Sequence, residues 1–310
     1  MSKKYTPITL ELVEAYTQCV YKAFLLLQGN IEGSKHEYSK ILEEHAAANL
    51  IRFAKSPEIQ LKTIPVKNGD MPHVVKNEDL YADIDILLKK DSDSSKIHSP
   101  YEPYYAAGTY NVSKEQKLRL AFTGYVIGTS EQTRPASGFI VTVNGQKHRI
   151  HLKPLYPTIA SNIDGLRKMI NLRESDPPKL ILNSHCPLCQ FRDYCQQQAE
   201  KTDNLSLLGK MTPKLMRKYE KKGIFTINQL SYVFNPRKRR KKSVAVNTVF
   251  SFELQALALR TEKIYLHETP AIPTHPVELF LDIEGIPDQG FYYLIGLIVI
   301  HHNEVKTYSF

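Results

Sequence analysis

The sequence predicts an α/β protein, and three stretches of the chain support this prediction. Over residues 8–55, apolar side chains recur at helix-like intervals, and glycines near residues 29–33 divide two helices. Residues 81–88 alternate Asp with Ile, which is typical of a strand with one polar and one apolar face. Residues 138–152 place two apolar runs around an Asn-Gly pair, which predicts a β-hairpin.

The remaining segments continue the mixture of helices and strands. We predict a strand over residues 101–110, a helix over 114–126 that Ser113 caps, and another helix over 156–173. A compact helical module follows over 205–234, then a helix over 246–263 and two apolar strands at the end. Three parts result: an α/β core over 1–203, a helical module with a basic linker over 204–269, and the start of a further domain over 270–310.

The composition limits the classes of protein that fit. No signal peptide is expected, because the start of the chain has no long apolar run and no small-residue cleavage site. No membrane span is expected either, since the richest apolar segment, residues 291–300, is too short to cross a bilayer. We therefore expect a cytoplasmic protein in which thiols stay reduced.

The charge balance favours a polyanionic partner. The formal net charge is +9 and the pI is near 9.1. The simplest polyanion for such a protein is nucleic acid, and we expect DNA. The alternative is that the excess of cations has no specific partner, because many soluble proteins are mildly basic.

The four cysteines are the most specific feature of the sequence. Cys19 lies in the first predicted helix, whereas Cys186, Cys189 and Cys195 form a C-x2-C-x5-C motif. Four thiolates suit either a 4Fe–4S cluster or a structural zinc ion. Zinc ribbons usually contain two separated C-x2-C pairs, and the single pair here favours the cluster. Four unrelated core cysteines are the third alternative.

These motifs resemble a known family. A lone N-terminal cysteine, an α/β core and then C-x2-C-x5-C resemble the iron–sulfur RecB-like nucleases, which include the Cas4 and AddB nuclease domains. The order of the parts over nearly the whole chain is also similar to the TM0106 family of RecB-like nucleases. The resemblance implies a restriction-endonuclease-like, PD-(D/E)XK core that acts on DNA. It also implies a 4Fe–4S cluster that ties the two ends of this core together through Cys19, Cys186, Cys189 and Cys195.

The resemblance further implies a metal-dependent nuclease site. The RecB-like pattern has a His on a helix, an Asp on a strand, an Asp/Glu-x-Lys on the next strand, and a Gln or Tyr on the following helix. His36 and Asp85 fit the first two positions, Glu102 is a displaced third ligand, and the helix groups are Lys114 and Gln116. Asp85 and Glu102 are thereby the expected ligands of Mg²⁺ or Mn²⁺, which prefer carboxylate oxygens.

One element departs from that pattern. Tyr105-Ala106-Ala107 stands where the resemblance places Asp-x-Lys, so the lysine that stabilises the transition state is missing. Lys117 could replace Lys114, and Tyr125 could replace Gln116. The alternative function is therefore a catalytically degenerate nuclease fold that binds DNA or serves as a scaffold. His36 is then an ordinary exposed histidine, and Asp85 belongs to a solvated strand face.

Two features of the helical part indicate contact with phosphate. Helices on either side of Gly223 resemble the helix–hairpin–helix segments of DNA-repair proteins, whose backbone amides hold a phosphate. Six consecutive cations follow and are candidates for nucleic-acid binding: Arg237, Lys238, Arg239, Arg240, Lys241 and Lys242. The alternatives are a plain helical connector and a solvated linker.

The last part of the chain carries a second pair of carboxylates. Asp282 and Glu284 alternate along a predicted strand, so they lie on one face and can bind a divalent metal. The segment resembles the first motif of ribonuclease H-like exonucleases. This resemblance implies that the strand pair is the start of a truncated ribonuclease H-like domain. We expect Asp282 and Glu284 to form only half of a metal site within these 310 residues, because two carboxylates rarely hold Mg²⁺ without a further ligand.

Overall fold

The structure is a computed structural model of the chain. It describes residues 6–56, 73–89, 99, 101–130, 133–171, 177–234, 251–266, 275–286, 291–302 and 304–310. Helices and several β-sheets alternate along these ranges, which confirms the α/β class. No helix within them has both the length and the apolar composition needed to span a bilayer.

The chain forms two compact units. Unit 1 comprises Met1–Lys40 and Ala160–His267, and unit 2 comprises Ile41–Ile159 and Glu268–Phe310. This grouping places the segment that contains Cys186, Cys189 and Cys195 with the helical module and the first two helices. The predicted domain boundary at residue 203 instead grouped that segment with the strands.

Unit 1 begins with the short strand β1, Ile8–Thr9, and helices α1, Leu10–Gln18, and α2, Val20–Gln28. The Thr9 hydroxyl accepts a hydrogen bond from the Leu12 amide and so caps α1. Helix α2 ends at Gly29, whose φ of 64° lies in the left-handed region that glycine adopts without strain. Two longer helices, α3, Glu37–Ala54, and α5, Tyr156–Asn171, each contain residues of both units.

The helical module of unit 1 has four helices, which are α6, Arg192–Lys201, α7, Pro213–Glu220, α8, Ile227–Ser231, and α9, Phe252–Thr261. Its core is a cluster of buried apolar side chains: Leu205, Leu208, Met211, Met216, Ile227, Leu230 and Ala256. The Thr212 hydroxyl caps α7, and Thr226 with Gln229 forms a capping box at α8. The predicted helix start at Pro213 and the turn at Gly223, with φ of 77°, are confirmed.

Unit 2 is built on a four-stranded sheet in the order β4-β5-β6-β7. Its strands are β4, Ile86–Lys89, β5, Tyr101–Ala106, β6, Ser137–Val141, and β7, Lys147–His151. Strands β5 and β6 are parallel, and helix α4, Lys114–Ser130, connects them as a parallel pair requires. Strands β6 and β7 form the predicted hairpin, with Phe139 opposite Arg149.

One face of this sheet packs against the end of α3. Its buried cluster consists of Phe53, Ile86, Leu88, Tyr104 and Val141. The rings of Phe53 and Tyr104 stack with centroids 5.7 Å apart, and those of Tyr104 and Phe139 with centroids 4.8 Å apart. These aromatic contacts hold the carboxyl-terminal half of α3 against the centre of the sheet.

The segment that contains Asp85 differs from its prediction. Residues 81–88 were expected to form one strand, but β3, Leu80–Ile84, ends before Asp85, and β4 begins after it. Strand β3 pairs with β2, His73–Asn77, whereas β4 pairs with β5. The single strand predicted over residues 81–88 is therefore divided at Asp85, where the backbone leaves one partner strand and joins another. The alternation itself continues, because Ala82, Ile84, Ile86 and Leu88 are buried whereas Asp83 is exposed.

The last part of unit 2 is a separate antiparallel sheet. It comprises β8, Val277–Ile286, β9, Phe291–His301, and β10, Glu304–Ser309. The predicted pair of apolar strands is confirmed, and β10 is an addition to it. Neighbouring residues Phe280 and Leu281 point to opposite faces, yet they are 55% and 63% exposed. Both faces of β8 are thus open to solvent.

Candidate functional site

Cys19 lies at a break between two helices. Helix α1 ends at Gln18, and α2 begins at Val20. Cys19 itself is extended, with φ of −162° and ψ of 116°, although its amide still donates to the Ala15 carbonyl at 2.8 Å. This single extended residue separates two helical segments that the sequence pattern joined into one, and it places Cys19 beside a cavity in unit 1.

The other three cysteines are held by short-range backbone contacts. One turn of 3-10 helix, Cys186–Leu188, begins the motif, and the Cys189 amide donates to the Cys186 carbonyl at 3.1 Å. Cys195 lies in the first turn of α6, and its amide donates to the Phe191 carbonyl at 2.9 Å. Phe191 and Cys195 are buried together with Leu25 of α2. The C-x2-C-x5-C segment therefore folds as one turn of 3-10 helix followed by the first turn of α6.

All four cysteines line the same cavity. None of them forms a disulfide, and Cys195 is buried while the other three are half-buried. Polar and cationic neighbours share the lining, among them Lys22, Asn183 and His185. The structure therefore gathers the remote Cys19 and the C-x2-C-x5-C motif at one site, as the sequence predicted.

Several hydrogen bonds connect the two sequence segments at this site. The Asn183 side-chain amide donates to the Gln18 carbonyl at 3.3 Å, and its backbone amide lies 3.2 Å from the Cys186 sulfur. The Lys22 ammonium donates to the Gln18 side chain at 2.9 Å and lies 3.3 Å from His185 Nε2. The Asn183 amide therefore favours negative charge on the Cys186 sulfur, and Lys22 links the first segment to His185.

Sequence reasoning did not identify Lys22, Asn183 and His185. A signal for them existed, because Lys22 lies one helical turn after Cys19, and the other two lie within three residues of Cys186. Groups at such spacings from metal-ligating residues commonly orient the ligands.

Two of the four thiols have raised pKa values. Burial and the three neighbouring cysteines raise the pKa of Cys195 to about 12. Burial also raises the pKa of Cys186, and Cys19 and Cys189 add to this effect. The Cys195 thiol therefore stays protonated at neutral pH, and a bound cation would favour its thiolate form.

Four thiolates suit either a 4Fe–4S cluster or a single zinc ion. Within the described ranges, no group of three or more His, Cys, Asp or Glu side chains is placed to hold a metal ion. A zinc ion needs all four sulfurs about 2.3 Å from one point. In a 4Fe–4S cluster each thiolate binds its own iron, so the sulfurs surround the group at wider spacing.

No protein-family model matches the chain. No curated protein matches it significantly.

The Asp85 carboxylate forms the second candidate site. Its Oδ2 accepts a hydrogen bond of 2.8 Å from the Ala106 amide, at the end of β5. Burial raises the pKa of Asp85 above its ordinary value of 3.8, whereas the Ala106 amide and the Arg119 guanidinium lower it. The side chain thus lies between β3 and β4, next to the end of β5.

Glu102 does not lie beside Asp85. It lies four residues before Ala106 on β5, which corresponds to about 13 Å along the strand. Its carboxylate accepts a hydrogen bond of 3.2 Å from the Ser137 hydroxyl, which in turn accepts one of 3.3 Å from Arg149. The structure therefore places Glu102 in a cross-strand network away from Asp85.

The residues expected on the helices of the nuclease site lie at helix starts, and two of them form hydrogen bonds there. Gln116 and Ser113 form a capping box at the start of α4, and the Gln116 amide also donates to the Thr109 hydroxyl at 2.8 Å. Lys114 is exposed at the same helix start. His36 is exposed just before α3, and its Nδ1 accepts a hydrogen bond of 3.1 Å from the Tyr38 amide.

The carboxylates of the last sheet are separated from these residues in sequence and are exposed. Asp282 and Glu284 alternate along β8 as predicted, and the Tyr293 hydroxyl donates to Glu284 at 3.4 Å. Neither belongs to a metal-binding group within the described ranges. The six cations over 237–242 lie outside the described residues.

Proposed function

We propose that this chain is a DNA-processing protein of the RecB-like nuclease family, and that its four cysteines hold a structural 4Fe–4S cluster. The observation that supports this most is the gathering of Cys19 with Cys186, Cys189 and Cys195 around one cavity. The sheet of unit 2, with its parallel pair of strands joined by α4, is consistent with a restriction-endonuclease-like core. A cytoplasmic location fits the absence of disulfides among these cysteines.

The cluster would act as a staple between distant parts of the sequence. Cys19 lies before the entire α/β segment, whereas the other ligands follow it. The two segments also contact each other directly, through the buried cluster of Leu25, Phe191 and Cys195 and through the 3.0 Å hydrogen bond from the Ser34 amide to the Gln190 carbonyl. A bound metal group adds its binding free energy to folding, because the unfolded chain has no preformed site.

Metal and sulfide analysis tests this proposal. Protein purified without oxygen is expected to be brown and to contain iron and acid-labile sulfide. Cys189→Ser should lose both, while Leu188→Ala, at a position between two ligands that is 43% exposed, should keep them. Stoichiometric zinc without iron would show that the site holds a different metal.

The proposed activity is metal-dependent hydrolysis of DNA, with Mg²⁺ or Mn²⁺ bound at Asp85. Such a metal polarises the scissile phosphate and lowers the pKa of an attacking water molecule. Asp85 supports this proposal through its position at the end of β3, beside the Arg119 side chain and the end of β5.

A second candidate is a DNA-binding protein with the same fold and no nuclease activity. The specific observation in its favour is that the Ala106 backbone, not an acidic side chain, is the partner of Asp85 on β5. Glu102 and Gln116 are also engaged in structural hydrogen bonds. Electrostatic stabilisation of the transition state then lacks a lysine, which usually contributes a large part of the rate.

A nuclease assay separates the two candidates. Single- and double-stranded DNA should be incubated with Mg²⁺ or Mn²⁺ and either the unmodified chain, Asp85→Ala or Glu102→Ala. Cleavage that disappears in Asp85→Ala supports the hydrolase. Binding without cleavage in every sample supports the second candidate, and cleavage that survives both substitutions would refute the proposed site.

A further inference from the structure

Helix α7, Pro213–Glu220, carries four cations on one face. They are Lys214, Arg217, Lys218 and the following residue Lys221, and all four are exposed. At about 100° per residue, these positions lie within an arc of about 100° around the helix axis. We call this surface the α7 cationic face.

The rest of the helix is occupied by packing. Met216 is 2% exposed in the core of the helical module, and Leu215 and Tyr219 pack against that core. The one acidic residue of the helix, Glu220, lies outside the arc and pairs with Lys179. Across the described residues, none of the four cations of the face has an ion-pair or hydrogen-bond partner for its side chain.

Repulsion among the four cations lowers the stability of helix α7 in the isolated chain. Like charges three or four residues apart on a helix destabilise it by about 0.2–0.5 kcal/mol per pair. Lys214 also lies in the first turn, where the helix dipole disfavours a cation. The segment 210–222 has a net charge of +5 out of the +9 of the whole chain. A polyanionic partner would convert this repulsion into attraction.

The neighbouring hairpin does not offer its amides to such a partner. The Asn228 amide at the start of α8 donates to the Asp203 carboxylate at 2.7 Å, and the Ile227 amide donates to the Asp203 carbonyl at 3.0 Å. The Gln229 amide donates to the Thr226 hydroxyl at 3.1 Å. The phosphate site predicted at this turn is therefore filled by the chain's own oxygens, and the exposed cations lie on α7.

We infer that the α7 cationic face binds the phosphate backbone of duplex DNA without reading base sequence. Lys214 and Lys221 are seven residues apart, which gives four cations over about 10 Å of helix. This is one cation per about 2.6 Å, a spacing between the one negative charge per about 1.7 Å of duplex DNA and the about 3.4 Å of one strand. No aromatic side chain lies on the arc to stack with unpaired bases.

The inference rests on the proposed function in taking the polyanion to be DNA. The test uses the full chain with its metal bound and a fluorescent 20-base-pair duplex. The variant replaces Lys214, Arg217, Lys218 and Lys221 with Gln. The control removes the same charge at scattered exposed positions, namely Lys40, Lys168, Lys263 and Lys306. A third variant, with Arg in place of the three lysines of the face, keeps the charge.

Affinity is measured by fluorescence anisotropy over a series of salt concentrations. The Gln variant of the face should lower the slope of log affinity against log salt by about 3, and the control should change it by less than about 1. The Arg variant should retain the unmodified slope. Circular dichroism during heating should show that all variants are folded, because the four side chains are exposed.

Other outcomes distinguish a failure of this inference from a failure of the proposed DNA function. Equal losses in the face variant and the scattered control would overturn the inference and leave the proposed DNA function standing. A loss confined to single-stranded DNA or to RNA would overturn the choice of duplex DNA. An unmodified chain that binds no nucleic acid at low salt would overturn the proposed function itself.

Discussion

At the scale of single residues, Asp85 shows that the position of a carboxyl group in the fold changes its pKa. Its carboxylate is placed between the end of β3 and the start of β4, where burial raises its pKa. The neighbouring Asp83 is exposed. Two acidic residues that look equivalent in the sequence therefore lie in different surroundings, and burial raises the pKa of Asp85.

This difference gives a pH-dependent stability. A carboxyl group whose pKa is higher in the folded state stabilises the fold at low pH, and this contribution is lost as the pH rises through the folded-state pKa. Asp85→Asn carries no charge and can still accept the Ala106 hydrogen bond. We expect the variant to gain melting temperature relative to the unmodified chain as the pH rises from about 4 to about 7.

Differential scanning calorimetry of metal-free protein measures this effect. Asp83→Asn is the matched control, because it removes a neighbouring carboxylate that is exposed. A constant difference between Asp85→Asn and the unmodified chain over this pH range would contradict the proposed burial of Asp85.

At the scale of elements, helix α3 is attached to the sheet of unit 2 by Asn49. This buried side chain donates to the Ala107 carbonyl at 2.9 Å and to the Val141 carbonyl at 2.8 Å. Its own oxygen accepts a hydrogen bond of 2.8 Å from Arg52. One amide thus joins a helix to the ends of two parallel strands.

Asn49→Ala should lower the free energy of unfolding by about 1–3 kcal/mol, because it leaves the Ala107 carbonyl without this partner inside the protein. The Val141 carbonyl keeps a second donor, the Ala107 amide at 2.8 Å. Urea denaturation measures the change. Asn228→Ala, at an exposed position of α8, is the control. A change in Asn49→Ala no larger than in this control would show that the Asn49 contacts add no net stability.

The last sheet is the element with the least packing. Leu279, Leu281 and Ile283 of β8 are 63%, 63% and 50% exposed. Exposed apolar strands and strand edges promote association between molecules. A chain that ends at Thr269 should therefore be more soluble and keep the iron content and DNA affinity of the full chain.

Solubility, iron content and DNA affinity of the two chains can be measured side by side. Asp282→Ala in the full chain is a further comparison, and it should leave DNA cleavage unchanged. A sharp loss of cleavage on truncation or in Asp282→Ala would show that the last sheet takes part in the reaction.

At the scale of the whole molecule, the net charge of +9 predicts salt-sensitive DNA binding. The run Arg237–Lys242 holds six of the cations, although it lies outside the described residues. Replacing the run with Gln should lower the slope of log affinity against log salt by up to about 5. The control variant with Gln at Lys40, Lys168, Lys263 and Lys306 measures the effect of losing exposed charge elsewhere on the chain. An unchanged slope would show that the run is a linker.

The sequence by itself determined the features that depend on neighbours along the chain. The hairpin of β6 and β7, the helix that starts at Pro213 and the turn at Gly223 were all predicted, because side-chain periodicity and turn residues act within a few positions. The net charge and the set of four possible sulfur ligands were also determined at this level.

Only the tertiary structure decided which of these groups meet. It brought Cys19 to the C-x2-C-x5-C motif, separated Asp85 from Glu102, and used Gln116 as a helix cap. It also left the α7 cationic face exposed while Asp203 took the hairpin amides. Burial and distance depend on segments far apart in the sequence, and local patterns contain no information about which of those segments pack together.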